Sequence, residues 1–188
     1  MSKQPLPVTD PGRTEFGYAR TVCACADCTA GCHHLPGYLV PADLERIRTH
    51  LAPDTDLFTW ARSYLLASPG ALVARGEKVF RIPTLVPARR PDGACLFLTD
   101  AGRCAVHAVA PFGCAFFDAH QAAAEAGPRS AAGLRAVLAD WLAGGPYAVV
   151  WQALDAAGLR APPPEAGRAL LRQARSGGGS PPSDEVRS

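Results

Sequence analysis

The chain is 188 residues long, enough for one domain with a substantial core, so a metal is not needed merely to hold together a very small fold. Hydrophobic residues make up 48% of the chain, a fraction that is typical of globular proteins and argues against general disorder. With 19 basic and 17 acidic residues the net charge is +2, which argues against nucleic acid or an anionic membrane as the main partner.

The sequence also predicts that the protein stays in the cytoplasm. There is no run of about 18 apolar residues, so no transmembrane helix is expected. Residues 1–20 contain prolines and charges but lack the apolar segment of a secretory signal. The chain has seven cysteines, and in a reducing compartment the usual reason for so many is metal binding or redox chemistry. Their odd number argues against complete internal disulfide pairing.

The N-terminal part of the chain predicts an arm, a cysteine-rich loop and two helices. Residues 1–20 show no periodicity, which predicts an extended arm. Small residues separate the cysteines of the stretch 23–34, so the backbone there can fold tightly and direct several side chains to one point. A helix is predicted over Pro41–Leu51, because Pro41 suits a first helical position and Asp43 suits the positive end of the helix dipole. A second helix is predicted over 54–67, with Pro69 and Gly70 ending it.

The middle of the chain predicts short strands. Residues 72–86 alternate in a way that suits two strands, with a turn at 75–77. Residues 93–104 predict a strand, a tight turn at 100–102 and the start of another strand. The second group of cysteines lies on this turn and on the loop after it, which ends at Cys114.

The C-terminal part is rich in alanine and predicts helices over 118–126, 130–143, 147–157 and 165–175, followed by a disordered tail. The predicted fold class is α+β, a mainly helical single domain with a small β-hairpin region that carries the second cysteine group. Within it we expect an arm (1–20), a cysteine-cluster metal-binding domain (21–118), a C-terminal helical extension packed on that domain (119–175) and a disordered tail (176–188).

The cysteines carry the predicted chemistry. Thiolates select zinc, iron–sulfur clusters or copper(I) over magnesium and calcium. The two-residue gap between Cys25 and Cys28 is a common way to place two sulfurs on one ion. The second group completes the site only if its loop folds back onto the first, so that metal binding and folding are coupled. The predicted metal ligands are Cys25, Cys28, Cys32, Cys95, Cys104 and Cys114, whereas Cys23 fits neither spacing.

Other interpretations of these residues stay open. Free cysteines are often buried as small hydrophobic residues, which suits Cys23. A thioredoxin-type redox pair at Cys25 and Cys28 would begin a helix that follows a strand, and neither element is predicted there. The three histidines left open as ligands are His33, His34 and His107, while His120 is expected to be an ordinary packed histidine.

Two motifs resemble a known family. The segments Cys25-Ala-Asp-Cys28-Thr-Ala-Gly-Cys32 and Cys95-Leu-Phe-Leu98, the latter followed by Cys104 and Cys114, are similar to those of the YkgJ-like cysteine cluster family. The resemblance covers about Val22 to Asp118 and implies a zinc- or iron-chelating domain with a CxxCxxCC motif. The chain departs from the family pattern at three positions, which are Gly31, His107 and Ala110.

These observations predict a metal-binding protein with a structural, carrier or electron-transfer role. The expected cofactor is an iron–sulfur cluster, of the 4Fe–4S type, or zinc, and six thiolates favour the cluster because they exceed what one zinc needs. The alternative is a cluster-dependent oxidoreductase or protein-modifying enzyme, which would need an open coordination position or a substrate cleft. Whether the protein is an enzyme is left open. The expected partners are the metal ion or cluster and, as an open point, another protein, but no nucleic acid and no membrane.

Overall fold

Seven α-helices and two antiparallel hairpins form the part of the chain that the computed structural model describes, which is residues 12–21, 23 and 25–176. The architecture is α+β and mainly helical within a single domain, which confirms the predicted fold class. Four strands form the hairpins: β1 (Thr14–Glu15), β2 (Tyr18–Ala19), β3 (Leu65–Arg75) and β4 (Lys78–Pro87). The helices are α1 (Ala26–His34), α2 (Pro41–Leu51), α3 (Leu57–Tyr64), α4 (Phe112–Ala115), α5 (Ala123–Ala143), α6 (Pro146–Ala156) and α7 (Pro164–Ser176).

The N-terminal segment contains a small hairpin where an extended arm is predicted. Residues 14–19 pair as β1 and β2, and Phe16 and Gly17 turn the chain with positive φ angles. The hairpin is fastened to the rest of the fold because Arg13 donates to the carbonyl of Ala110 and forms ion pairs with Glu15 and Asp43. Residues 1–11 of the predicted arm lie outside the described residues.

Helix α1 replaces the predicted cysteine-rich loop. None of its residues is fully buried, so the usual apolar stripe is missing and the periodicity gives no helix signal. Its stability comes from neighbours instead. Helix α7 packs along it, and the guanidinium of Arg89 donates to the carbonyl of His34 at the last turn. Arg89 is therefore part of the fold and not simply a solvated basic residue.

Helix α2 has the predicted bounds, but the helix after it is shorter than predicted. Helix α3 ends at Tyr64, and Leu65–Ala67 begin β3 by pairing with Leu85–Pro87 of β4. The prediction of a helix as far as residue 67 is wrong because this strand pairing overrides the helical periodicity. Pro69 and Gly70 do not end a helix; they form a bulge in β3, where the register shifts between Ser68 and Ala71.

The segment that carries the second cysteine group is a series of turns. Within residues 88–106 the strand-like pairing consists of two isolated bridges, Arg89 with Cys95 and Leu98 with Cys104, so the strands predicted over 93–104 do not form. Turn hydrogen bonds hold the segment in shape, including one from the Leu98 N–H to the Cys95 carbonyl. A short 3₁₀ turn, His107–Val109, leads from it to α4.

The C-terminal helices pack on the β3–β4 hairpin and on α2 and α3. The helices predicted over 118–126 and 130–143 are replaced by the single helix α5, which contains Pro128. Tyr147 on α6 is fully buried; its hydroxyl accepts from the Leu85 N–H and donates to the Leu39 carbonyl, which joins three parts of the core. The predicted tail, apart from Ser176, lies outside the described residues. Across the described ranges, no helix has the length and apolarity that crossing a bilayer requires.

Candidate metal centre

Four potential ligand atoms meet near the start of α1. The sulfurs of Cys23, Cys25 and Cys28 and a ring nitrogen of His120 all lie within 4.8 Å of one another. The Cys25 and Cys28 sulfurs are 3.7 Å apart, and the Cys25 sulfur is 3.2 Å from His120 Nε2. The three cysteines are half-buried and the histidine is exposed, so the group lies at the protein surface. We call these four residues the outer group.

The start of α1 explains how the outer group is assembled. Cys25 is the N-cap residue, its carbonyl accepts from the Thr29 N–H and hydroxyl, and Cys28 lies on the first turn of the helix. The other side comes from the loop after α4. The Ala119 N–H donates to the Cys28 sulfur, and the carboxylate of Asp118 accepts from the His120 N–H, which fixes the turn that presents the imidazole.

The two cysteines of the CxxC motif differ in acidity. The backbone N–H of Cys28 and the side chain of His120 stabilise the Cys25 thiolate and lower the pKa of Cys25 from 9.0 to about 6. Burial raises the pKa of Cys28 to about 12, and the neighbouring thiols of Cys23 and Cys25 act in the same direction. Without a metal, the group therefore holds one thiolate that is available near neutral pH beside a thiol that keeps its proton.

The difference in pKa between Cys25 and Cys28 bears on the alternative that these two residues form a thioredoxin-type redox pair. A CxxC motif at a helix start, with an acidic first cysteine and a protonated second one, is the arrangement of dithiol oxidoreductases. The sequence provides no helix prediction there, but α1 begins directly after Cys25. The lack of a helix is therefore no longer an argument against a redox pair. Two arguments against it remain: the preceding strand, β2, ends at Ala19 and does not lead into the helix, and Cys23 and His120 lie beside the two sulfurs although a dithiol pair needs neither.

The other four cysteines line a second, deeper site, which we call the inner ring. Cys32 comes from the last turns of α1, Cys95 and Cys104 from the turns before α4, and Cys114 from α4 itself. Two backbone contacts hold these segments together: the Cys95 N–H donates to the Cys32 carbonyl, and the Gly37 N–H donates to the Cys114 sulfur at 3.2 Å. All four line one cavity of about 260 Å³, which Cys23 and Cys28 also line.

Burial disfavours the charged form of the inner-ring thiols. Burial raises the pKa of Cys95 to about 12 and that of Cys104 to about 11, and raises the pKa of Cys32 and Cys114 as well. The negative charge of one thiolate also raises the pKa of the others across the ring. A bound cation reverses this effect, because it stabilises every thiolate at once. Arg20, which also lines the cavity, lowers the pKa of Cys104.

The inner ring is more widely spaced than the outer group. Among the residues that the structure describes, the outer group is the one set of three or more cysteine, histidine or acidic side chains whose ligand atoms lie within 4.8 Å of one another. The predicted ligands therefore fall into two sites. Cys25 and Cys28 belong to the outer group, and the remaining four, Cys32, Cys95, Cys104 and Cys114, form the inner ring.

Two glycines allow the inner ring to close. A Cβ at Gly37 would overlap the backbone of Gly113, and a Cβ at Gly113 would overlap the backbone of Gly37 and Tyr38. Because the two chain segments touch at this point, the Gly37 N–H can reach the Cys114 sulfur. Neither residue has a positive φ angle, so glycine is needed at these positions because the two backbones approach closely and not because of backbone conformation.

The histidines and Cys23 differ most from the sequence-based expectations. His33 and His34 are in ring contact with each other and do not join the outer group, while His107 lies on the cavity wall, where burial lowers its pKa. His120, expected to be an ordinary packed histidine, lies against the Cys25 sulfur, and Cys23, which fits neither spacing, completes the group. The sequence signal for Cys23 was its nearness to Cys25, and that for His120 was its nearness to Cys114, which favoured a packed histidine over a ligand.

No family model matches the chain, and neither the curated proteins nor the solved structures contain a match. The geometry of the outer group is therefore what supports metal binding: three sulfurs and one imidazole nitrogen are close enough together to hold a metal ion.

Proposed function

We propose that this protein is a metal-binding protein that holds one thiophilic ion in the outer group. The observation that carries the proposal is the mutual closeness of four donor atoms, all within 4.8 Å of one another. Thiolates and imidazole are the ligands of zinc and related metals, and three cysteines with one histidine are one of the usual sets at structural zinc sites.

The spacing within the outer group favours a single ion, and zinc in particular. Two sulfurs bound tetrahedrally to one zinc, with Zn–S bonds of about 2.3 Å, are about 3.8 Å apart. The Cys25 and Cys28 sulfurs are separated by 3.7 Å. Four protein ligands fill a tetrahedral ion, so this centre has no open position for a substrate and is suited to a structural or carrier role. The ion would tie the start of α1 to the loop after α4.

The inner ring supports a second centre of another kind, an iron–sulfur cluster. A cluster distributes its cysteine ligands over several irons, so their sulfurs stand farther apart than around one ion, and four cysteines complete such a site. The four inner-ring thiols come from three separate segments and converge on a cavity of about 260 Å³. We therefore propose zinc in the outer group and a cluster in the inner ring, which accounts for all seven cysteines.

One experiment tests both centres. Protein purified without oxygen is analysed for zinc, iron and acid-labile sulfide, and its visible absorption spectrum is recorded. We expect one zinc per chain in the wild type, which is lost in Cys25→Ser and His120→Ala and kept in the matched control His33→Ala, because His33 is exposed and outside the group. Cys104→Ser should lose iron, sulfide and visible absorption and keep its zinc.

The two parts of the proposal fail separately. Full zinc content in His120→Ala would contradict the outer-group assignment whatever the iron content is. A wild type without iron and sulfide, even after reconstitution with ferrous iron and sulfide, would contradict the cluster while leaving the zinc assignment intact. Far-UV circular dichroism of each variant checks that the loss of metal does not follow from a loss of fold.

Two further proposals concern the family of the chain and a role as an enzyme. Membership of the YkgJ-like cysteine cluster family is supported by the two motifs, which contain all six predicted ligands. A cluster-dependent oxidoreductase or protein-modifying enzyme is supported by the cavity beside the inner ring and by the acidic thiol of Cys25. An oxidoreductase would show a reversible change of its visible spectrum on addition of dithionite and then of air.

A further inference from the structure

A second cavity, of about 300 Å³, lies on the other side of the chain segments that wall the inner ring. The two cavities share Leu35, Pro36, Gly37, Gly113 and Phe117 as lining residues. Because Gly37 and Gly113 touch without side chains between them, the wall at this point consists of backbone alone. The second cavity contains no cysteine, histidine or acidic residue among its described lining residues, so it is chemically distinct from the metal sites.

The bulge in β3 supplies the polar floor of this second cavity. The register shift between Ser68 and Ala71 places Ser68, Gly70 and Ala71 on the cavity wall opposite Tyr38. The bulge is held in place, since the indole of Trp151 donates to the Ser68 carbonyl and the Ser68 hydroxyl oxygen accepts from the Gly70 N–H. Bulges of this kind commonly redirect side chains next to functional sites.

Two hydroxyls that line this cavity have unused hydrogen-bonding capacity. Thr84 on β4 is 3% exposed, and within the described part of the chain its hydroxyl has no hydrogen-bond partner. Ser68 is 1% exposed and accepts one hydrogen bond, but its own proton goes to no described group. Because both residues line the cavity, the free capacity of their hydroxyls is available to a ligand or to water there.

The mouth of the cavity carries positive charge. The guanidinium of Arg168 on α7 lines it and lies 3.7 Å from the carboxylate of Glu165, which also pairs with Arg81 at 3.3 Å. Two cations therefore share one carboxylate, which leaves a net positive charge. Arg81 is fixed at the rim because it also donates to the Gly70 carbonyl. The remaining lining is largely apolar, with Leu35, Pro36, Ala71, Val86, Phe117 and Pro164.

From these contacts we infer that the second cavity binds a small carboxylic acid with an apolar body. The carboxylate would accept hydrogen bonds from Thr84 and Ser68 and be attracted by Arg168, while the apolar body would lie against the proline and phenylalanine side chains. Hydroxyl and guanidinium donors favour an anion, although the Glu165 carboxylate competes for the Arg168 guanidinium, and the apolar walls select against inorganic anions. This inference does not depend on the metal sites.

The probe for the test is benzoate, with benzamide as its uncharged isostere, measured by isothermal titration and saturation-transfer NMR on the full chain. We expect saturable benzoate binding that is at least tenfold tighter than that of benzamide. Thr84→Val removes the hydroxyl at nearly constant volume, and Arg168→Gln removes the charge; each should weaken benzoate at least fivefold. Arg172→Gln, an exposed position on the same helix, is the control and should bind like the wild type.

The fold of the key variant can be checked independently. Because the Thr84 hydroxyl has no protein partner, Thr84→Val should not lower the thermal midpoint, so a loss of binding there cannot be attributed to unfolding. Absence of saturable benzoate binding overturns the inference, as does equal binding of benzamide. Unchanged benzoate affinity in both Thr84→Val and Arg168→Gln overturns it as well, and would leave ordered water as the partner of the two hydroxyls.

Discussion

The thiol of Cys25 shows how strongly a single residue can depend on its position in the fold. In the metal-free protein the Cys28 N–H and His120 lower its pKa to about 6, whereas Cys28 stays protonated with a pKa of about 12. A lowered pKa means that the thiolate is present above pH 6 and disappears as the pH falls through that value. The thiolate is the nucleophile in alkylation, so reactivity follows the same curve.

We therefore predict that iodoacetamide modifies the metal-free protein first at Cys25, with a rate that rises through a midpoint of about pH 6. Peptide mass spectrometry after short reaction times at graded pH measures this directly. His120→Ala should move the midpoint upward because the imidazole is one cause of the low pKa. Modification that begins only near pH 8 or 9, or spreads evenly over the seven cysteines, would contradict the prediction.

At the same scale, the candidate site was only partly predictable from the sequence. Cys25 and Cys28 are close because their spacing is local and needs no long-range contact. His120 joins them from 95 residues beyond Cys25, and only the packing of the loop after α4 brings it there. His120 flanks Cys114 in the sequence but has no ligand spacing to Cys25 or Cys28, so no spacing rule could have assigned it to them.

Among the elements, α2 depends on one buried carboxylate as well as on its apolar face. Asp43 is fully buried, accepts from the Val40 and Phe112 N–H groups, and forms ion pairs with Arg13 and Arg46. It therefore caps α2 and joins it both to the N-terminal hairpin and to α4. Removing it would leave two buried N–H groups without their acceptor and would take one of its two carboxylate partners from the buried Arg13 guanidinium.

Asp43→Ala should accordingly lower the free energy of unfolding by roughly 3–5 kcal/mol, the range for removing one partner of a buried ion pair. The control is Glu45→Ala on the same helix, whose carboxylate is mostly exposed in its pair with Arg48 and should cost at most about 1 kcal/mol. Urea unfolding followed by circular dichroism measures both. Equal losses in the two variants would show that the buried network contributes no more than a surface pair.

The elements themselves were predicted best where local signals and packing agree. The bounds of α2 are as predicted because Pro41, the acidic first turn and the apolar spacing all favour the same helix. Helix α1 has no apolar stripe and exists because α7 and Arg89 support it, which no local signal reports. The start of β3 at Leu65 is set by its pairing with β4 against a helical pattern, so only the tertiary structure determines that boundary.

For the whole molecule, the outer group and the inner ring join distant parts of the chain. The outer group ties the start of α1 to the loop after α4, and the inner ring ties α1 to the turns of 95–104 and to α4. All seven cysteines are free thiols, so no disulfide holds these segments together. A metal that binds only the folded chain stabilises it by mass action, and folding and metal content are then coupled.

Removing the metal should therefore destabilise the entire domain and not only its surface. At a free metal concentration of about 1,000 times Kd the stabilisation is about 4 kcal/mol, which corresponds to a thermal midpoint lower by roughly 8–16 °C after chelation of one ion. Differential scanning calorimetry before and after treatment with a chelator measures the shift. Zinc should restore the midpoint and magnesium should not, because thiolate ligands discriminate against magnesium. The thermal midpoint of His120→Ala should be lower than that of the wild type from the start, and the chelator should change it less. If chelation leaves the midpoint of the wild type unchanged, the outer group does not couple metal binding to folding.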